Sequence, residues 1–257
     1  MDCRTPGGEA RILKLVLPGQ DPQAHEARVL TLARGRGYAR LFESDPARGA
    51  LLMERLGPSL ASLALPADQQ LRVICDTLIQ AWRPLDEADG FVDGAAKAAG
   101  LAGFIRQLWR DLGKPCSARA VERAFAYAED RARAFDPDTA VLAHGDAHAG
   151  NTLLVPDSRP ESFRLIDPDG LFIERAYDLG ISLREGGAEF LAGDPVRRGQ
   201  KRCRQLAAMT GVPEVPIWQW GFIERVSTGL LALQLEMDVA RDMLAVAEAW
   251  ATVDPPR

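Results

Sequence analysis

A chain of 257 residues that is 47% hydrophobic and 26% charged carries enough apolar side chains for one large or two modest domains, which excludes intrinsic disorder. Its formal net charge of -5 argues against nucleic acid as a partner, because phosphate contacts need a clustered basic surface, and suits a cationic small molecule instead. Cys3, Cys75, Cys116 and Cys203 form no CxxC pair, charges interrupt the N-terminus from Asp2 to Lys14, and no window reaches the ~18 apolar residues of a membrane span. The expectation is a cytoplasmic protein with reduced thiols and no membrane partner; no feature of the sequence specifies an oligomeric state.

In chain order, Ala10 to Leu17 is short and apolar and ends at Pro18-Gly19, the pattern of a strand and a turn, with Lys14 as its odd residue. The spacing of Ala24, Ala27, Val29, Leu30, Leu32 and Ala33 predicts a helix over Asp21 to Arg36, with Asp21 as N-cap, Pro22 at the first helical position and Glu26 in the first half. Strands follow at Ala39 to Glu43 and Gly49 to Leu56, across the Ser44-Asp45-Pro46 turn. After Gly57-Pro58 the periodicity turns helical, with helices expected near Asp68 to Glu87, Leu101 to Leu112, Ala118 to Phe135, Ile173 to Phe190, Pro195 to Thr210 and Pro216 to Ala251. Short apolar runs at Ala140 to Ala143, Thr152 to Val155 and Ser162 to Ile166 read as strands. The class is therefore α+β, with a boundary expected at Gly57-Pro58 between a β-rich domain, 1–57, and a mostly helical one, 58–257.

The chemistry concentrates in the octet His144-Gly145-Asp146-Ala147-His148-Ala149-Gly150-Asn151, which follows one apolar run, and in Asp167, which follows another. Phosphoryl transfer needs a carboxylate to take the proton of the attacking hydroxyl and oxygen ligands for the Mg²⁺ that bridges nucleotide phosphates. Asp146 is the candidate base, Asn151 and Asp167 the candidate magnesium ligands, and ATP the implied donor. Gly, Asp and Asn fit any turn, but a second carboxylate at a separation that fits a returning hairpin favours function. The H-x-D-x-H spacing also resembles a transition-metal cluster of a hydrolase. Only three histidines are present, however, and His25 lies far off in the first helix, so few imidazoles remain for zinc and His144 reads as holding the loop by hydrogen bonds.

Lys14 within an apolar strand either snorkels from an edge or meets an anion; steadied by Glu26, its ammonium would face nucleotide phosphates. Met53 to Gly57 is either an ordinary strand end or the place where exposed backbone groups of Glu54 to Leu56 read an adenine ring. Arg175 and Asp178 either brace the catalytic loop or cap a helix. Glu185, Glu189, Glu224, Glu236 and Asp238 either line a pocket for a polycation or form solvated faces, and Trp218 and Trp220 read as core.

These residues resemble a known family. HGDAHAGN, LIDPDG and RAYDLG are similar to motifs of the aminoglycoside phosphotransferases, most of all the branch of streptomycin 6-kinases and hydroxyurea-type resistance kinases, over roughly Ala10 to Leu183. The resemblance implies a protein-kinase-like two-lobe fold, with a small β-rich N-lobe and a mostly helical C-lobe, and an ATP-dependent O-phosphotransferase acting on a hydroxyl of an aminoglycoside-like cationic substrate. It makes Asp146 the base, Asn151 and Asp167 the Mg²⁺ ligands, Lys14 and Glu26 the phosphate-binding pair, and Glu54 to Leu56 the adenine hinge. Family members carry two strands and a phosphate-covering loop ahead of the lysine strand. Here thirteen residues precede Lys14 and Thr5-Pro6-Gly7-Gly8 is the sole glycine-rich piece, so the expectation is either a missing upstream segment or a shortened relative with weakened nucleotide binding and an exposed sheet edge. That departure motivates a second reading, a catalytically impaired kinase-like binding protein; a metal-dependent hydrolase is the third. Asp169 is the alternative to Asp167 as metal ligand, and Asp167 is preferred because it follows the apolar run directly.

Overall fold

The glycine-rich piece at the start makes a hairpin turn. Gly8 N donates to Thr5 O at 2.8 Å and Thr5 N to Glu9 O at 3.0 Å, so β1 (Asp2–Arg4) pairs antiparallel with β2 (Ala10–Leu15). The computed structural model describes all residues except 16–21, 86, 87, 89 and 257, and leaves aside the side chains of 22–24. The expected N-cap Asp21 and the end of the predicted first strand thus lie outside the described residues.

Helix α1 (Pro22–Ala33) is followed by β3 (Leu41–Asp45) and β4 (Ala50–Glu54), and the sheet runs in the order β1-β2-β4-β3 with Lys14 opposite Leu51. Helix α2 (Ala67–Ala81) then leads to β5 (Arg83–Pro84), β6 (Val92–Asp93), α3 (Gly94–Asp111) and α4 (Ala118–Ala134). Short strands β7 (Val141–Ala143), β8 (Thr152–Leu154), β9 (Phe163–Leu165) and β10 (Leu171–Ile173) precede α5 (Ala176–Arg184), α6 (Gly187–Leu191), α7 (Pro195–Thr210), α8 (Glu214–Gln234) and α9 (Val239–Trp250). None of the described helices is long and apolar enough to cross a membrane.

Several predicted helices end or break early, each for a local reason. The helix expected to Glu87 stops at Ala81 because Pro84 lacks an amide proton and pushes its predecessor into extended backbone; Glu87 itself is outside the described residues. The helix expected over Ile173 to Phe190 begins only at Ala176, after β10, and is interrupted where Gly186 turns left-handed at φ 74°. The long helix expected to Ala251 divides into α8 and α9, where Glu236 sits at φ 56° and Met237 N reaches back to Ala232 O at 2.8 Å. Conversely α3 starts at Gly94 rather than Leu101, capped by Asp93, whose carboxylate accepts from Ala96 N at 2.7 Å.

The chain divides into two compact units, Met1–Leu85 with Val141–Leu171, and Asp86–Ala140 with Phe172–Arg257. Gly57 and Pro58 lie inside the first, where Gly57 N donates to Leu154 O and Leu154 N to Pro58 O. Compactness therefore divides the chain elsewhere than the composition break does, because β8 returns to pair with the segment leaving β4. In the first unit Val29, Leu30, Tyr38, Leu51 and Leu60 are buried in the core. The second is built on α8, whose Trp218 and Trp220 are fully buried; the Trp218 ring meets Trp250 at 4.6 Å between centroids. Burying side chains of this kind stabilises by ~1.5–3 kcal/mol each, so these cores anchor the loops they support.

Candidate active site

The octet lies between β7 and β8 in the first unit, a loop whose apolar flanks are held in short strands while its polar centre remains half-exposed. Its first residue is its anchor. His144 is fully buried, stacks on the Tyr38 ring at 5.8 Å, accepts from Asp146 N through Nδ1 at 3.0 Å, and donates from Nε2 to Ile166 O at 2.8 Å. Because Nδ1 must offer a lone pair to an amide, the ring is the neutral Nε2–H tautomer, and one bond from it fixes the backbone of the residue before Asp167.

Two further bonds tie the loop to the Asp167 strand. Ile166 N donates to Asn151 O at 3.0 Å and Gly170 N to His144 O at 3.1 Å. Gly145 is required where the two meet: its φ is 93°, and a Cβ there would lie 2.7 Å from the Cβ of Asp169. Asp167 itself takes the left-handed backbone, at φ 54°, a conformation that costs about 1–3 kcal/mol in a non-glycine residue and that the surrounding hydrogen bonds must hold.

The side chains then point as follows. Asn151 Nδ2 donates to Asp146 O at 3.1 Å and lies 3.5 Å from Asp146 Oδ2, which turns its Oδ1 the other way. The Asp146 carboxylate is 31% exposed. Lys14 Nζ meets Glu26 Oε2 at 2.7 Å and Asp167 Oδ1 at 2.5 Å, with the Asp167 side chain 48% exposed. Lys14 is thus not an edge lysine reaching for water. The coordinates bring Lys14, Glu26 and Asp167 into one ion-pair chain, and Asp146 and Asn151 into one loop bolted to it through Ile166.

Burial is the strongest single influence on the Lys14 ammonium and lowers its pKa, but the hydrogen bonds from Asp167 and Glu26 outweigh it and the pKa ends above the usual lysine value. Lys14 is therefore a fixed cation at neutral pH. For Glu26, nearly buried and with Oε1 unpartnered among the described residues, burial wins over Lys14 and raises the carboxyl above its usual range. A carboxyl raised in this way contributes to stability below the unfolded carboxyl pKa and loses that contribution as pH rises through the folded value, while the same ion pair supports the Lys14 ammonium.

Glu54 and Leu56 lie apart from this chain of contacts. Glu54 Oε2 accepts from Arg40 N at 3.1 Å and from the Arg164 guanidinium, so its side chain braces β4 against β9. Leu56 is buried, beyond the end of β4, and among the described residues its amide donates to no backbone carbonyl. In the second unit Asp178 is fully buried in the first turn of α5, Glu224 accepts from the Tyr177 hydroxyl, Glu185 pairs with Arg184 and Glu189 with Arg202, while Glu236 and Asp238 are exposed.

The transition-metal reading fails on the histidines: both ring nitrogens of His144 are committed to backbone groups. Among the described residues no three His, Cys, Asp or Glu side chains are grouped to hold a metal ion. Reasoning from residue types missed two contacts, Arg164 on Glu54 and His148 on Asp146. The first has no local signal, since the partners are 110 positions apart; the second is signalled by the H-x-D-x-H spacing, which is weighed there only as metal ligation and set aside for want of imidazoles.

Residues 1–232 match the model of the aminoglycoside/hydroxyurea antibiotic resistance kinase family. The chain is 26% identical over 250 residues to the streptomycin 6-kinase of Streptomyces glaucescens, covering 96% of this chain and 78% of that one. It is 32% identical over 205 residues to the hydroxyurea phosphotransferase of Kitasatospora aureofaciens, covering 74% of this chain and 54% of that one, so it spans about half the length of that relative. Among solved structures, an aminoglycoside phosphotransferase from Streptomyces rimosus in complex with ADP and streptomycin superposes with a TM-score of 0.57 at 18% identity, covering 87% of this chain and 89% of that one. A choline kinase from Streptococcus pneumoniae superposes with a TM-score of 0.64 at 14% identity, covering 98% and 89%. At such identities these likenesses establish the fold alone, and it is kinase-like.

Proposed function

This chain belongs to the aminoglycoside/hydroxyurea antibiotic resistance kinase family, and from that premise we propose that it transfers the γ-phosphoryl group of ATP to a hydroxyl of an aminoglycoside-like cationic small molecule. The observation that carries the reading is the Lys14 ammonium held between Glu26 and Asp167, with Asp146 and Asn151 on the adjoining loop. Asp146 accepts the proton of the attacking hydroxyl, Lys14 presents fixed positive charge to the nucleotide phosphates, and Glu26 holds Lys14 in place. The strand end at Glu54 to Leu56, where the Leu56 amide donates to no backbone carbonyl among the described residues, is the place for the adenine ring. In this reading the strands up to Leu56 form the nucleotide-binding lobe, and the chain from Pro58 on carries the catalytic groups.

The donor set suits Mg²⁺: an amide oxygen on Asn151, whose NH2 is the group that faces Asp146, and a half-exposed carboxylate on Asp167, both hard oxygen ligands. When bound, Mg²⁺ neutralises charge on the phosphates. The overall negative charge fits a cationic acceptor, and the four free thiols fit a reducing, cytoplasmic setting. Incubating the protein with Mg·ATP and streptomycin, and separately with hydroxyurea, tests the proposal by mass spectrometry of the acceptor. The expected result is a product heavier by one phosphoryl group in the streptomycin reaction. No phosphorylated product from a panel of aminoglycosides, despite nucleotide binding, would instead support the impaired binding protein.

A further inference from the structure

His148 lies on the same loop, and its ring geometry is specified by the backbone around it. Gly150 N donates to Nδ1 at 3.0 Å, so Nδ1 carries a lone pair and the ring proton sits on Nε2. Nε2 is 3.4 Å from Asp146 Oδ2, the oxygen that Asn151 Nδ2 also approaches. The backbone repeats the link: His148 N donates to Asp146 O at 3.1 Å, and His148 O accepts from Asn151 N at 3.0 Å and from the Thr152 hydroxyl at 3.0 Å. Glycine at 150 is what lets the ring lie there, because a Cβ at that position would come within 2.7 Å of His148 Cε1 and 2.9 Å of Nδ1. His144, by contrast, spends both nitrogens on the backbone and directs neither at a carboxylate.

We propose that His148 is a positioning residue for the transfer reaction: its Nε2–H, fixed by the Gly150 amide, holds the Asp146 carboxylate in the orientation from which it meets the acceptor hydroxyl. The inference rests on the phosphotransferase reading and adds to it a residue that acts only through Asp146. An unpositioned carboxylate loses much of its advantage, since a misplacement of about 1 Å costs on the order of 10²-fold in rate.

The test compares five proteins by steady-state kinetics: the wild type, His148→Ala, His148→Gln, Asp146→Asn, and Asp146→Asn combined with His148→Ala. Glutamine places an N–H donor where Nε2 was and does not titrate. The expected pattern is a fall in kcat of about 10–10²-fold for His148→Ala with the KM for ATP unchanged, recovery to within about 3-fold for His148→Gln, and a double variant no slower than Asp146→Asn alone. Wild-type turnover by His148→Ala, or independent losses that multiply in the double variant, overturns the inference while leaving the function standing. Absence of transfer by the wild type would count against the function itself, so a second readout is taken without an acceptor. With only three histidines in the chain, ring ¹⁵N resonances are assignable; they should show the Nε2–H tautomer at His148 and an Nε2 signal that moves in Asp146→Asn. An Nδ1–H tautomer, or an Nε2 signal indifferent to residue 146, would overturn the inference on structure alone.

Discussion

Asp146→Asn is expected to lower kcat by about 10²–10⁴-fold, the usual contribution of a positioned general base, with little change in stability. Asparagine keeps the shape of the side chain and removes its ability to take a proton. The loop is held through backbone groups of this residue: Asp146 N donates to His144 Nδ1, and Asp146 O accepts from His148 N and Asn151 Nδ2. Those bonds survive the substitution. The side chain is partly exposed, so its loss adds no buried orphan, and unfolding free energy should shift by no more than ~0.5 kcal/mol. The KM for ATP should also hold, because the charge proposed to face the phosphates resides on Lys14. Rates from an ADP-release assay and melting curves by circular dichroism decide it, and undiminished kcat would remove Asp146 from the mechanism.

The largest stability effect is expected at Arg225. This side chain is fully buried in α8, donates to the Leu183 and Glu185 carbonyls at the C-terminal end of α5, and lies 5.0 Å from the Phe190 ring centroid and 4.9 Å from that of Trp250. Burial pushes its pKa down to about 9, which still leaves it charged at neutral pH. One fork therefore satisfies the end of one helix and fills space between aromatic rings. Arg225→Ala orphans the buried Leu183 carbonyl at about 1–3 kcal/mol, releases the Glu185 carbonyl and opens a cavity, offset by relief of the buried charge. A net loss of about 3 kcal/mol is expected, lowering Tm by roughly 6–12 °C for a chain of this size. Arg225→Lys should rescue little, because a single ammonium cannot fork to two carbonyls or stack in the same way. Thermal unfolding of both variants checks this, and an unchanged Tm for Arg225→Ala would contradict the account of that core.

How far the chain could be read before its fold was known depended on where each determinant lay. The octet and Asp167 were legible because their chemistry is local: glycines, a carboxylate and an amide at close spacing, each after an apolar run. The left-handed backbone at Asp167 and Glu236 was not, since neither residue type demands it. Periodicity likewise ran through Leu231, Leu235 and Val239 without interruption, which hid the break between α8 and α9. Lys14 posed a choice between edge and anion that its two partners, Glu26 12 positions away and Asp167 153 positions away, resolve together. Glu54 shows the reverse case: its place near the end of a strand suggested backbone recognition of a ring, and its side chain turns out to be committed to Arg164 and Arg40.

The central proposal is that Asn151 and Asp167, on segments joined by the Ile166 N to Asn151 O backbone bond, hold Mg²⁺ for the bound nucleotide beside Lys14. Its most direct test is the rise in Tm on titrating ATP with and without Mg²⁺, in the wild type and in Asn151→Ala combined with Asp167→Ala. A ligand that binds only the native state at a hundredfold excess over Kd adds about 2.7 kcal/mol, several degrees for a chain of this length. The account predicts a Mg²⁺-dependent rise of that order in the wild type and its disappearance in the double variant. No rise in the wild type at millimolar Mg·ATP, or an equal rise in both proteins, would contradict it.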